Sequence, residues 1–444
     1  MKKVIIYITA LILFSLTIAG CSKSPAEDFY VERTDFQYQY YDEFHRSIMA
    51  RGNDAMYFTI GYYIYRLDEE TQILAPLCNK PNCLHEKETD NNRVPECNAY
   101  ISMDENKSEI TYMNEYIYTI MQDWKEGELC YGLYKIAEDG STKERVYQWD
   151  GTVVEGWCLH RNVLYYVEHT YDENNQEFYA VKEMKLSGIG KLAPKTVWEP
   201  DEDITVFAFG ILKAYGNHLY FNMDGVKTNN VDELTSEEDW IKYSYNKTFQ
   251  YNLQNKTLSE IQVPNQEATQ RVSSVTFWKN QIVYDAFDLT KNRQYDATTD
   301  VYIADLDGTN AMVLMKDMPI YRNYYSDGTY LFVSNAPECA DKIIQSPEYQ
   351  NNIAALENRK WDYKVNVDVY DENMEFVDSV EPPFRGILPY EPVYGIGDRV
   401  YVQIEEDSGE KISIQYWDKT KLGTYNGSKY ELIKVCELTR PEGD

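Results

Sequence analysis

One phrase recurs seven times along this chain of 444 residues. A turn carrying Asn, Asp or Gly leads into a β-branched, tyrosine-rich run; a second run follows after a gap and usually closes in another such turn. The phrase stands at Asn53-Asp54-Ala55-Met56-Tyr57-Phe58, Asn114-Glu115-Tyr116-Ile117-Tyr118 and Asn162-Val163-Leu164-Tyr165-Tyr166. It continues at Asn217-His218-Leu219-Tyr220-Phe221, Asn280-Gln281-Ile282-Val283-Tyr284, Asp327-Gly328-Thr329-Tyr330-Leu331-Phe332 and Gly397-Asp398-Arg399-Val400-Tyr401. Each run alternates apolar and polar residues, or stays apolar for a few positions between turn formers, as strands do. Successive phrases lie about 48 to 70 residues apart, which suits a four-stranded propeller blade with its loops. One blade cannot bury both faces of its sheet, so blades must pack radially and close into a ring. The expected fold is all-β: a seven-bladed β-propeller over residues 29–444, with six or eight blades as the neighbouring solutions. Closure is expected to draw a strand from about Phe29 to Met49 into the last blade.

The hydrophobic content of 43% includes 41 tyrosines, so tyrosine must supply much of the buried surface. The tyrosines are expected to pack between blades, their hydroxyls reaching water at the edges. With 73 acidic against 43 basic residues the net charge is −30, which excludes a nucleic-acid partner.

The N-terminus carries an address. Lys2 and Lys3 precede an uncharged run from Val4 to Ala19, the charged and apolar regions of a secretory signal, too short to span a bilayer. The run ends in Ile18-Ala19-Gly20-Cys21-Ser22, which resembles a bacterial lipobox. That likeness implies a signal peptide at 1–20, diacylglycerol on Cys21, and a short tether over 21–28. Two acyl chains give stable anchoring, and an acidic body needs them to stay at an anionic surface. The expected location is the outer face of the cytoplasmic membrane, or the outer membrane in a Gram-negative source. The membrane is contacted through the lipid alone, and the chain is expected to be a monomer.

Two stretches break the strand rhythm. Ser236-Glu237-Glu238-Asp239-Trp240-Ile241 starts with a capping Ser and acidic first-turn residues, and Ser346-Pro347-Glu348 opens a run to Trp361. Both are expected to be short helices inserted between strands. Trp240 and Trp361 are the aromatics most suspected of facing a ligand.

Cysteine is the sharpest chemical signal. Beyond Cys21, three of the remaining seven cluster: Cys78-Asn79-Lys80-Pro81-Asn82-Cys83-Leu84-His85, with Cys97 twelve residues later. Three thiols and one imidazole are the ligand set of a closed tetrahedral zinc site. An exported domain can also oxidise its thiols, so a disulfide from Cys78 to Cys83 or Cys97, or simple reduced thiols, stands beside a structural zinc. No other cofactor is indicated. Cys130, Cys158, Cys339 and Cys436 are scattered.

Together, the lipobox, the tyrosine repeats and the phrase Leu77 to His85 with Cys97-Asn98-Ala99-Tyr100 resemble a group of uncharacterised lipoproteins of Gram-positive anaerobes. The repeats alone are similar to TolB-like and YWTD-like propellers, although Leu164-Tyr165-Tyr166-Val167 and Leu219-Tyr220-Phe221-Asn222 depart from the YWTD motif. The resemblance implies a propeller held outside the cell and carries no substrate or catalytic residue.

No Gly-x-Ser-x-Gly elbow, His-Glu-x-x-His, P-loop or Gly-x-Gly-x-x-Gly stands in the sequence. His45, His160, His169 and His218 are expected to be ordinary sheet or surface residues. Two functions remain. The first is a non-enzymatic surface module that binds an envelope component, a glycan or a protein partner. The second is an extracellular carbohydrate-active hydrolase or lyase with carboxylates in its central cleft.

Overall fold

The computed structural model describes residues 28–40, 47–85, 96–101, 109–125, 128–172, 177–186, 192–210, 212–264, 270–272, 275–288, 298–319, 324–335, 366–380, 392–405, 411–427 and 431–439. The signal at 1–20, Cys21, His45, Cys339 and the run from Ser346 to Trp361 lie outside them.

The described strands form seven antiparallel sheets, each from its own stretch of chain. Blade 1 comprises Met49–Arg51, Ala55–Ile60, Tyr63–Asp68 and Leu74–Pro76; blade 2 comprises Thr111–Met113, Tyr116–Lys125, Glu128–Ala137 and Lys143–Trp149. Blade 3 is Val153–His160, Val163–Tyr171, Glu177–Lys185 and Lys195–Trp198. In blades 4 and 5 the first strand is in two pieces: Thr205–Phe209 with Lys213–Tyr215, and Gln270–Val272 with Thr276–Trp278. Blade 4 continues with His218–Val226, Lys247–Asn252 and Leu258–Glu260, and blade 5 with Gln281–Asp288, Thr298–Ala304 and Met312–Pro319. Blade 6 is Tyr324–Ser326, Leu331–Asn335, Asn366–Tyr370 and Phe376–Val380; blade 7 is Pro392–Val393, Arg399–Glu405, Lys411–Asp418 and Ile433–Thr439. First strands of blades 1 and 2, 3 and 4, and 5 and 6 touch, which sets them around the axis. The chain is a seven-bladed β-propeller.

The recurring phrase is the hairpin between the first and second strands of each blade. At Asn114-Glu115, Arg161-Asn162 and Lys279-Asn280 both turn residues have positive φ, the mirror-image turn whose twist matches that of paired strands. The tyrosine that follows reaches sideways. The Tyr57 hydroxyl donates to the Glu138 carbonyl of blade 2 at 3.0 Å, and that of Tyr220 to the Leu306 carbonyl of blade 5 at 2.5 Å. These two hydroxyls are spent on the next blade rather than on water.

Ring closure differs from the expectation. Blade 7 is complete from its own four strands, and Met49–Arg51 begins blade 1. Residues 28–40 add no strand and instead cross the end of the ring where the first-to-second-strand turns lie. They contact blades 1 to 5 and blade 7, and approach blade 6. In blade 1, the Gln37 amide donates to the Arg51 carbonyl at 2.7 Å and its oxygen accepts from the Arg51 N–H at 3.0 Å. In blade 2, the Asn114 N–H donates to the Arg33 carbonyl. Blade 3 sends Arg161 into a two-pronged pair with Asp35, 2.9 and 3.1 Å, whose side chain is fully buried.

On blades 4 and 5, the Tyr38 ring packs against Tyr215 and Phe277, with centroids 5.4 and 5.2 Å away. A side chain at Gly328 of blade 6 would meet the Tyr38 hydroxyl. In blade 7, the Gly395 N–H donates to the Gln39 carbonyl and the Ile396 N–H to the Tyr40 hydroxyl. Gly395 has φ +43°, and a Cβ there would lie 2.6 Å from the Tyr40 ring, so no larger residue fits. A sequence that alternates Asp35, Gln37 and Gln39 with Phe36, Tyr38 and Tyr40 needs both polar and apolar partners at each step. An edge strand would supply them from one blade only. This hub segment takes them from six.

Two further details seal the same end. The buried His160 accepts the Phe36 N–H at Nδ1 and contacts the Gly216 carbonyl through Nε2 at 2.8 Å, which requires a neutral ring protonated at Nε2. Burial holds its pKa below the ordinary value, consistent with that neutral form. The buried Lys419 ammonium donates to Asp327 at 2.6 Å and to the Tyr394 and Gly395 carbonyls, tying blade 7 to blade 6. Blades 1 and 7 meet through side chains, with Phe58 and Tyr401 centroids 5.7 Å apart.

Replacing Asp35 by Asn leaves the Arg161 guanidinium without its carboxylate. The unfolding free energy is expected to fall by about 2–3 kcal/mol, the loss being moderated by the partial exposure of Arg161. Chemical denaturation of the two proteins at one pH measures it; an unchanged midpoint contradicts the hub.

Candidate metal centre

The outer strand of blade 1 ends at Pro76, and the chain returns to pair with the same neighbour at Tyr100, opposite Tyr63. The excursion between them carries the cysteine phrase. Its base is fixed by backbone bonds: the Leu77 N–H donates to the Ile64 carbonyl, and the Ile64 N–H to that of Ala99. It leans on the third-to-fourth-strand turn of blade 2, where the Gly140 carbonyl accepts from the Asn79 N–H at 3.0 Å and the Asn98 amide at 2.8 Å. Gly140 has φ +71°, and a Cβ there would sit 2.7 Å from the Cys78 nitrogen. Only glycine allows this approach.

The local turn then gathers the donors. The Cys83 N–H returns to the Lys80 carbonyl, Asn82 and His85 take positive φ, and the Lys80 ammonium bonds the Glu96 carbonyl across the mouth of the loop. The sulfur atoms of Cys78, Cys83 and Cys97 and a ring nitrogen of His85 all lie within 4.8 Å of one another. His85 Nδ1 is 3.5 Å from Cys97 Sγ. Zinc bonds of about 2.3 Å to sulfur and about 2.0 Å to nitrogen give tetrahedral edges of about 3.8 Å between sulfurs and about 3.5 Å from sulfur to nitrogen. The donor set and its spacing fit a metal ion. The three cysteines are free thiols in the structure.

The electrostatics agree. Burial opposes ionisation of Cys78, but the Lys80 and Asn98 N–H groups outweigh it and hold that thiol below its ordinary range. Burial pushes Cys97 up to about 12, with its sulfur neighbours adding to the effect. A divalent cation among the donors would supply the charge that burial and the neighbouring sulfurs deny the Cys97 thiol.

Cys130, Cys158 and Cys436 stand apart in blades 2, 3 and 7. The inserted helix is Glu237–Tyr243, and the Ser236 hydroxyl caps it by accepting from the Asp239 N–H. Trp240 stands 41% exposed; its indole N–H is used on the Leu234 carbonyl, and its ring faces the 45% exposed Phe207 with centroids 5.8 Å apart.

Sequence reasoning missed one cluster. His169, at the end of blade 3 away from the hub, is 2.7 Å from Glu155 through Nδ1 and 3.8 Å from Glu177 through Nε2. Its ring stacks on Tyr179 at 4.2 Å and lies 4.6 Å from Tyr171. Glu155, His169 and Glu177 come from three adjacent strands, so their meeting depends on strand register, which no local motif encodes. His218 pairs with Asp28 at the hub, 3.1 Å away, and with His160 belongs to the structure there.

No protein-family model matches the sequence, and no curated protein matches it. Among solved structures, one of two prolyl endopeptidases superposes with a TM-score of 0.52 at 12% identity, over 91% of this chain and 51% of that one. This chain thus spans about half the length of that enzyme. An oligogalacturonate lyase from Vibrio parahaemolyticus gives 0.46 at 11% identity, covering 88% of this chain and 92% of the other. The β-propeller domain of the trilobed protease from Pyrococcus furiosus gives 0.41 at 13%, covering 74% and 82%. At such identities the likeness concerns the fold.

Loading the reduced protein with cobalt(II) is expected to give one tightly bound ion per chain with the visible and near-ultraviolet bands of a tetrahedral, thiolate-rich site. Cys97→Ser should weaken binding by more than the about 10- to 100-fold that loss of an outer-shell partner costs. A protein that takes up no cobalt after full reduction contradicts the site.

Proposed function

We propose that this chain is a lipid-anchored, non-enzymatic propeller at the outer surface of a membrane, where it binds a glycan, an envelope component or a protein partner. In this reading Cys21 carries the lipid, and a structural zinc at Cys78, Cys83, His85 and Cys97 locks the outer edge of blade 1 against blade 2. The observation that carries the binding function is a row of aromatic side chains at the end of blades 3 and 4 away from the hub. Tyr171 of blade 3 is 52% exposed on the sheet face that carries His169 and Tyr179, and Phe207 and Trp240 of blade 4 stand at the same end. Phe209 links the two groups by packing against Tyr179. Exposed rings beside carboxylates suit sugar faces and extended peptides. The hub crosses the other end of the ring.

A hydrolase or lyase is the second reading, favoured by the Glu155 and Glu177 carboxylates on either side of His169 among aromatic walls. One experiment separates the two. The soluble form starting at Ser22 is screened against glycan and peptide panels, with product formation followed on every hit. Binding without turnover is expected, weakened about tenfold or more by Trp240→Ala with the fold intact. Product release that is lost in Glu155→Gln would replace the first reading by the second.

A further inference from the structure

We infer that the lipid anchor holds the propeller in one orientation, with the hub end toward the bilayer and the aromatic end of blades 3 and 4 pointing away from it. The inference rests on the lipid anchoring proposed above and adds a direction to it.

The exit point of the tether is fixed. Asp28 accepts the Asn217 N–H at 2.8 Å through one carboxylate oxygen and meets His218 Nε2 at 3.1 Å through the other. The next residue is held as well, because Arg161 donates to the Phe29 carbonyl at 2.9 Å. Both contacts lie on first-to-second-strand turns of blades 3 and 4, on the hub end of the ring. A Cβ at Gly216, in the same turn, would lie 2.6 Å from an Asp28 carboxylate oxygen, so the fit excludes any side chain there. The chain therefore leaves the domain at one end and off the axis.

Only six residues, 22–27, separate Cys21 from Asp28. Seven Cα-to-Cα steps, fully drawn out, reach at most about 25 Å. The second strand of blade 4 starts beside this exit and runs nine residues to the opposite end. That is about 30 Å of strand. A tether that starts at the hub end cannot pass over the rim, run the height of the blade and still deliver its lipid to a bilayer lying against the far end. The standoff it does allow exceeds the Debye length of about 8 Å at physiological salt, so the acidic body can avoid an anionic surface without turning over. Geometry sets the direction, and charge does not oppose it.

Two exposed positions on blade 4 report it. Gln254 follows the third strand at the hub end, where Asn252 pairs with His218; Glu238 lies on the inserted helix at the other end. Full-length, processed protein is reconstituted into phosphatidylcholine–phosphatidylglycerol vesicles that carry a lipid-linked energy-transfer acceptor. A donor fluorophore on a non-canonical side chain replaces either residue. Several-fold stronger transfer from position 254 than from 238 is expected, and a long Gly/Ser insert between Ser24 and Pro25 should erase the difference. Equal transfer, stronger transfer from 238, or a difference that survives the insert overturns the orientation. Flotation with the vesicles tests the anchor itself: loss of flotation in Cys21→Ala supports it, whereas a wild-type chain that does not float, or a Cys21→Ala chain that does, overturns both the anchor and the direction.

Discussion

Among the described residues the seven sheets share no strand, and the contact of residues 28–40 with six of them is the constraint on which the ring depends. In a propeller closed by an exchanged strand, the first and last blades are joined by a ladder of backbone bonds. Among the described residues, blades 1 and 7 meet through side chains such as Phe58 and Tyr401, and through Arg51, which reaches the Ile396 carbonyl at 2.9 Å. The hub supplies the missing tie from above the axis. Its strongest point is the Asp35–Arg161 pair, a two-pronged charged contact between a buried carboxylate and a partly buried guanidinium, where each hydrogen bond is worth more than its surface counterpart.

Much of this fold was legible because strands and hairpins are local. The turn-then-tyrosine phrase marked the second strand of every blade, and Asp or Gly turns such as Asp305 to Gly308 marked the passage to the fourth. The first strands were not visible. In most blades they are two or three residues long, as Thr111–Met113 and Tyr324–Ser326 are, too short to show a period. The path of residues 28–40 was misjudged for a different reason: its partners lie up to 356 residues away in sequence, as in the Tyr40 to Ile396 contact. A pattern of alternating aromatic and polar residues resembles a strand until those partners are known.

The candidate sites divide along the same line. The cysteine knuckle could be seen in the sequence because its first three donors fall within eight residues and Cys97 returns on the same loop. The group around His169 could not, since it is assembled by register across three strands. The two groups also differ in character. The knuckle joins two blades and has the closed ligand set of a structural ion, whereas His169 lies beside exposed rings at the end of blade 3 away from the hub.

Hydrogen exchange on a chain beginning at residue 41, set against one beginning at residue 28, tests the hub most directly. If the segment ties the ring together, the first strands of all seven blades, from Met49–Arg51 round to Pro392–Val393, lose protection together while outer strands keep more of theirs. Loss confined to blades 3 and 4, or no loss, would mean that the ring closes by blade packing alone and that residues 28–40 merely rest upon it.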